Sequence, residues 1–72
     1  MWLFGGSRLE NGHDYEIRFV NAAGALSFLF MTKCATDEHA RDAAKRMLRT
    51  EFVTYEIWRD SVCVGTGECA DL

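Results

Sequence analysis

"TDEHARDAAKRMLR", residues 36–49, decides the fold, because it predicts a single helix between segments that alternate like strands. Thr36 is the predicted N-cap, and acidic residues open the segment while arginines close it, as the helix dipole favours. The apolar residues of the segment recur at helical spacing and form one stripe: Ala40, Ala43, Ala44, Met47 and Leu48. The helix is therefore expected to bury this stripe against a sheet.

Two pairs of alternating segments flank the helix. "DYEIRFV" (14–20) and "ALSFLFMT" (25–32) are predicted strands joined by the turn "NAAG" at 21–24. "EFVTYEIWRD" (51–60) and the short "VCVG" (62–65) form the second pair. The alternation assigns one side chain in two to the helix-covered face: Tyr15, Ile17, Phe19, Leu26, Phe28, Phe30, Val53, Tyr55 and Ile57.

The predicted class is α+β with the order β-β-α-β-β. A helix between strands two and three makes those two strands run in the same direction, with a right-handed connection. Strand one can then lie between them, which gives a four-stranded, mainly antiparallel sheet in the order 2-1-3-4, with 1-2-3-4 as the competing order. The organisation expected is an N-terminal arm (1–13), one domain (14–66) and a C-terminal tail (67–72).

Composition excludes several function classes. The net charge of −3 and pI near 5.2 provide no general attraction to nucleic acid or anionic lipid. No apolar run approaches the roughly 20 residues of a membrane-spanning helix. Three cysteines without a C-x-x-C pair do not form the framework of a secreted disulfide protein. A cytoplasmic protein is expected.

The C-terminal segment "GTGECA" (65–70) matches the G-x-G-x-x-A turn of dinucleotide-binding proteins. That turn works by leading into a helix whose N-terminus holds the pyrophosphate. Only Asp71 and Leu72 follow Ala70, so the helix is missing. We predict no nucleotide cofactor and interpret the glycines as the end of strand four.

The three cysteines and His39 are the candidates for a metal site and for a catalytic site. Cys34, His39, Cys63 and Cys69 form a Cys3His set, but their spacing is not that of a zinc knuckle. We predict no metal, with Cys34 and Cys63 as small apolar side chains and Cys69 as an exposed thiol. Cys34 and His39 lack a third group that would orient the histidine, so no catalytic residue and no enzymatic activity are predicted.

The outer helix face offers one surface for binding. Arg41, Lys45, Arg46 and Arg49 form a basic stripe that could contact phosphates. Asp37 and Asp42 are expected to neutralise part of it through i to i+4 pairs with Arg41 and Arg46. A nucleic-acid or regulatory binder is therefore the alternative function, and nucleic-acid binding is not the favoured one.

The sheet face away from the helix is the favoured surface. The solvated face of an antiparallel sheet is normally polar, whereas this face is predicted to carry Val20, Leu29, Met31, Phe52, Trp58 and Cys63. Large apolar patches mark association sites, and a two-fold dimer would stabilise so small a core. We therefore expect a non-enzymatic protein-interaction module that forms a homodimer, with another protein as the alternative partner.

"KCATDEHARDAAKRML" followed by "YEIWRDSVCVG" resembles a set of short bacterial proteins of unknown function. Those proteins share a hairpin, a Cys-containing segment that opens an alanine-rich helix, and a strand with a Glu and a Trp. The resemblance covers residues 14–66 and is carried by seven residues: Cys34, Asp37, Ala40, Ala44, Tyr55, Glu56 and Trp58. It implies a bacterial, cytoplasmic domain that stands alone, and it implies no activity.

Overall fold

The computed structural model describes residues 12–72. The strands and helices, in chain order, are β1 (His13–Val20), β2 (Leu26–Cys34), α1 (Asp37–Arg46), β3 (Thr54–Arg59), β4 (Val62–Glu68) and a 3-10 turn (Cys69–Asp71). The strands form one antiparallel sheet in the order β2-β1-β3-β4. The predicted class, element order and strand order are confirmed. Residues 1–11, most of the predicted N-terminal arm, lie outside the described residues.

The core lies between α1 and one face of the sheet. Tyr15, Ile17 and Phe19 on β1 are 0% exposed, as the alternation of the sequence predicted. Ala40 and Ala44 on the helix are also 0% exposed, because their small side chains let the helix lie close to the strands. β1 is thus the central strand of the core, covered by the helix and flanked by β2 and β3.

Phe52 corrects the predicted face assignment on the third strand. We expected Phe52 on the face away from the helix and Val53 in the core. The structure buries Phe52, whose ring stacks on Phe19 with 4.4 Å between centroids, and leaves Val53 44% exposed. The physical reason is that β3 begins only at Thr54, so strand alternation does not apply to the two residues before it.

The helix begins as predicted and ends earlier. The Thr36 side chain accepts a hydrogen bond from the backbone N–H of His39 at 3.1 Å, which satisfies one of the free donors of the first turn. The last helical residue is Arg46, with Met47 as the C-cap, whereas the sequence predicted a helix to Arg49. None of the described helices is both long and apolar enough to cross a bilayer.

The first hairpin contains a β-bulge that the sequence did not reveal. The Asn21 side chain accepts hydrogen bonds from two backbone N–H groups of the turn, those of Ala23 and Ala25. Beyond the turn, Val20 lies opposite Leu26 and the next pair along the ladder skips Ser27. The extra residue moves Leu26 to the face away from the helix, where it is 57% exposed, so its predicted core position was wrong.

The C-terminal residues belong to the domain. We expected β4 to end at Gly65 and residues 67–72 to form a tail, but β4 continues to Glu68. Gly67 is a site of close approach, since a Cβ placed there would lie 3.1 Å from Tyr55 Oη. The 3-10 turn that follows places Cys69 in the core at 7% exposure, and its N–H donates to Val53 O at 2.8 Å.

Candidate interaction surface

The sheet face opposite α1, which we call the open face, is the side on which Glu16, Arg18, Leu29, Met31 and Trp58 project. Glu16 lies opposite Met31 and Trp58, and Arg18 lies opposite Leu29. Residues directly opposite on neighbouring strands share a face. Because the four strands form one unbroken sheet, the open face is a continuous surface that runs from β2 to β4.

A charged cluster forms the centre of the open face. Arg18 Nε donates to Glu16 Oε2, and Arg18 Nη1 lies 3.7 Å from Glu56 Oε1. Trp58 Nε1 donates to the same Glu56 oxygen at 2.9 Å, and the guanidinium of Arg18 lies 4.6 Å from the centroid of the indole ring. The two glutamates and the arginine hold Trp58 in a fixed orientation, with the cation over its ring.

An apolar border runs along β2 at one side of this cluster and consists of Leu26, Leu29 and Met31. These side chains are 57%, 41% and 63% exposed. Val20 on β1 lies directly opposite Leu26 and extends the same apolar strip toward the centre of the sheet. No helix of the described residues covers this strip, and neighbouring exposed apolar side chains that form a continuous patch are typical of association surfaces.

A concavity of about 320 Å³ lies between the apolar border and Trp58. Met31 and Trp58 form its walls, Glu16 and Arg18 lie between them, and the carboxylates of Asp14 and Asp60 stand at one end. The open face is therefore not flat. It offers a recess between two apolar walls into which a protruding side chain could insert.

Five of the six residues predicted for the association surface lie on this face: Val20, Leu29, Met31, Trp58 and Cys63. Phe52 does not, because it is part of the core. Leu26 joins the surface through the bulge in β2, which no feature of the sequence indicated. Arg18, Glu16 and Glu56 could have been placed there by alternation alone, but their mutual contacts could not.

The predicted basic stripe is exposed over its whole length, with Arg41, Lys45 and Arg46 on α1 and Arg49 just beyond its end. The predicted pairs Asp37–Arg41 and Asp42–Arg46 are absent from the ion pairs of the described residues. Asp37 instead binds Arg59 on β3, with 3.1 Å between Oδ1 and Nη1. The sequence suggested helical pairs because the spacing fitted, but the fold brings a strand cation closer to the same carboxylate.

Asp37 also accepts a hydrogen bond of 2.6 Å from the hydroxyl of Tyr15, a contact that residue spacing does not indicate. Burial of the ring raises the pKa of Tyr15 above its ordinary value of 10.0, and the hydrogen bond to Asp37 acts in the same direction. The three side chains of Tyr15, Asp37 and Arg59 tie the first helical turn to β1 and β3. We interpret this cluster as a structural contact that stabilises the packing of the helix on the sheet.

The cysteines are distributed over three environments. Cys63 is exposed on the open face, Cys34 is partly buried at the end of β2, and Cys69 is buried on the helix side. The prediction that Cys69 is an exposed thiol was wrong, because β4 continues past Gly65 and the turn after it places Cys69 in the core. Cys63 lies on the face predicted for it. Burial raises the pKa of the Cys69 thiol.

Among residues 12–72, no group of three or more His, Cys, Asp and Glu side chains is placed to hold a metal ion.

Comparison with known proteins finds no matching family model, no matching curated protein and no matching solved structure. The resemblance to short bacterial proteins stays a prediction.

Proposed function

We propose that this chain is a non-enzymatic interaction module that associates with a second copy of itself through the open face. The observation that carries the proposal is the apolar border, three exposed aliphatic side chains on a sheet face that α1 leaves uncovered. Burial of such side chains stabilises association by about 25 cal/mol per Å² of apolar area before the costs of binding are subtracted. Exposed aliphatics side by side therefore favour a partner.

The open face is self-complementary, which favours a second copy as the partner. Consider a two-fold axis that lies in the interface and runs across the strands, so that each strand crosses its own equivalent. An axis midway between the row of Glu16 and the row of Arg18 places Leu29 of each copy against Met31 of the other, so the apolar borders meet. The same axis places Arg18 of each copy against Glu16 of the other, beside Trp58, so that both charge signs are matched.

The size of the face limits the area that association can bury. Four strands about 4.8 Å apart and roughly seven residues long, at about 3.3 Å per residue, offer roughly 450 Å² per copy. Two such faces bury roughly 900 Å², which is below the standard interface of about 1,600 Å². We therefore expect a weak dimer with a dissociation constant in the micromolar range.

The test is the mass in solution of the variant Trp58→Lys. The substitution places a cation beside Arg18 and removes the indole from the middle of the face, so the mass measured by sedimentation equilibrium should fall by half. Val62→Lys is the matched control. Val62 is 60% exposed and aliphatic, and it pairs with Arg59, whose side chain reaches the helix side.

The proposal fails if the wild-type protein keeps the mass of one chain at all concentrations. It also fails if Trp58→Lys leaves the mass unchanged, or if Val62→Lys lowers the mass equally, since the open face would then have no special part in association.

The second candidate function is a nucleic-acid or regulatory binder that uses the basic stripe of α1. It is favoured by one observation: the four cations of the stripe are exposed and form no ion pair with the described carboxylates. Against it stands the net charge of −3.

For either function, we propose a cytoplasmic location, because three free cysteines fit a reducing compartment.

A fluorescently labelled RNA hairpin and a DNA duplex of the same length test this candidate. The triple variant Arg41→Glu, Lys45→Glu and Arg49→Glu should abolish binding if the stripe contacts phosphates, while Lys33→Glu, on a strand and paired with Asp14, should not. If the wild-type protein binds neither probe at low salt, where phosphate contacts are strongest, the candidate is excluded.

A further inference from the structure

β2 is an edge strand whose central part, between the bulge at Ser27 and Lys33, lacks the usual protection against pairing with another chain. It lies at one end of the sheet, and at nine residues it is the longest of the four strands. It contains neither Gly nor Pro, and its only charged side chain is Lys33, near its end. Edge strands of this kind are templates for the addition of a further strand.

The hydrogen bonds around β1 reveal which backbone groups of β2 are free. Val20 O accepts from Val53 N at 2.8 Å, and Asp14 O accepts from Asp60 N at 3.3 Å. Even-numbered residues of β1 therefore direct their backbone groups toward β3. Since successive residues of a strand point their backbone groups to opposite sides, the odd-numbered residues direct theirs toward β2.

The register then assigns the outer side of β2. Tyr15, Ile17 and Phe19 pair with Thr32, Phe30 and Phe28, so these β2 residues bond to β1. The residues between them direct N–H and C=O away from the sheet: Leu29, Met31 and Lys33. Among the described residues, β2 has no strand partner other than β1, so this row of backbone groups is not used in any ladder.

We infer that β2 pairs antiparallel with β2 of a second copy, so that two four-stranded sheets join into one of eight strands. A two-fold axis at Phe30 gives the best register, because Leu29 of each copy then lies opposite Met31 of the other. Each of these pairs exchanges backbone hydrogen bonds and places two aliphatic side chains in contact on the open face. On the helix side, Phe30 faces Phe30 and adds an aromatic pair.

The other edge of the sheet is a poorer template. β4 has an irregularity in its pairing at Ile57 and Trp58, and it contains two glycines, Gly65 and Gly67. A bulge bends a strand and breaks its ladder, and glycine weakens strand pairing. The central part of β2, from Phe28 to Cys34, pairs with β1 without a register shift. The preference for β2 follows from these differences.

The edge contact goes beyond the contact through the open face, because it uses a different surface and a different two-fold axis. The edge axis is perpendicular to the sheet, whereas the axis of the face contact lies along it. Edge pairing also brings two apolar borders together, which doubles the apolar area available on the open face. Either contact can exist without the other, so the two are tested separately.

Amide hydrogen exchange of the wild-type protein tests the inference without any substitution. At concentrations where the protein is associated, the amides of Leu29, Met31 and Lys33 should exchange at least about ten-fold more slowly than in dilute protein. Phe28 and Phe30, whose amides bond to β1, serve as internal controls. Equal exchange of the three amides at high and low concentration overturns the inference. If they are protected in a monomer, residues 1–11 of the same chain become the candidate partner of this edge.

A proline substitution tests the same contact in solution. Because the N–H of Met31 points away from β1, Met31→Pro removes no hydrogen bond of the single chain but removes one from the proposed ladder. In the background Trp58→Lys, where the face contact is disrupted, Met31→Pro should halve the mass, whereas Met31→Ala, which keeps the N–H, should not. Far-ultraviolet circular dichroism verifies that the variants are folded.

The two proposals fail in different ways. A Trp58→Lys protein that already has the mass of one chain at about 300 µM overturns the edge contact and leaves the face contact standing. If the Trp58→Lys protein keeps the dimer mass of the wild type, the face contact is overturned. The edge contact is retained in that case if adding Met31→Pro produces monomers. A Met31→Pro protein that is folded and still dimeric in that background overturns the edge contact.

Discussion

The two faces of the sheet are built from the same strands but have opposite properties. On the covered face, Tyr15, Ile17 and Phe19 are withdrawn completely from water. On the open face, Arg18 lies between two glutamates and over Trp58, with the exposed Leu29 at its side on the neighbouring strand. Since successive side chains of a strand point to opposite faces, substitutions on one face need not disturb the other.

This difference separates stability from association. The covered face contributes the apolar burial that holds so small a chain folded, whereas the open face contributes few fully buried contacts in a single copy. We therefore expect substitutions on the covered face to change the free energy of unfolding, and substitutions on the open face to change the mass in solution.

The largest effect is expected for Phe19→Ala. The ring of Phe19 stacks on Phe52 at 4.4 Å and lies within 6.5 Å of Phe28 and Phe30, so its removal leaves a cavity among aromatic side chains. A loss of about 3–5 kcal/mol is expected, which is most of the stability of a domain of this length. Chemical denaturation followed by circular dichroism measures it.

Leu29→Ala is the control on the open face, since Leu29 is 41% exposed. In dilute protein it should change the free energy of unfolding by no more than about 0.5 kcal/mol. Equal losses for the two variants would contradict the separation of the faces.

A smaller effect is expected for Gly67→Ala, which tests close packing at the far end of the covered face. The added Cβ would lie 3.1–3.3 Å from the hydroxyl oxygen and two ring carbons of Tyr55, so this side chain must shift, and we expect a cost of about 1–3 kcal/mol. At Gly65 the nearest atoms are 3.9 Å away, on Ile57, so Gly65→Ala should be neutral or slightly stabilising. Thermal unfolding of the two variants makes the comparison, and an equal loss at both positions would show that contact with Tyr55 is not the cause.

The smallest effect concerns alkaline pH. Burial and the hydrogen bond to Asp37 raise the pKa of Tyr15 above 10.0, so the folded protein holds the phenolic proton more tightly than the unfolded chain does. The resulting stabilisation is fully present below pH 10.0 and is lost as the pH rises through the pKa of the folded state. Denaturation between pH 8 and 11 should therefore show a decline that is shallower in Tyr15→Phe.

Burial also raises the pKa of Cys69, from 9.0, which adds a decline that begins at lower pH. A Cys69→Ala background removes this contribution, so that the Tyr15 effect is measured alone. If Tyr15→Phe leaves the alkaline profile of that background unchanged, the phenol has no part in the decline.

The sequence favoured the observed sheet order over the competing order 1-2-3-4 and predicted most of the core. Tyr15, Ile17 and Phe19 alternate without interruption, and the alanine stripe of the helix has the spacing of a buried face, so period and topology rules led to the observed arrangement. Those rules depend only on local geometry. They hold wherever an element is regular over several residues.

The errors occur where an element is irregular or a contact is distant in sequence. Phe52 was misplaced because strand alternation was extended two residues past the start of β3, and Leu26 because one extra residue in β2 reverses the faces beyond it. Asp37 was paired with the wrong arginine, since Arg59 comes within reach only when the sheet has formed. Period and spacing in a single sequence do not indicate a bulge or the approach of two side chains 22 positions apart.

The most direct test of the central claim is sedimentation equilibrium of the unmodified protein between roughly 5 and 300 µM, a range that brackets a micromolar dissociation constant. We predict that the mass rises with concentration from the 8.2 kDa of one chain to at least twice that value. The midpoint of thermal unfolding should rise in parallel, because association stabilises the folded state by mass action. A mass of 8.2 kDa at every concentration would contradict the account.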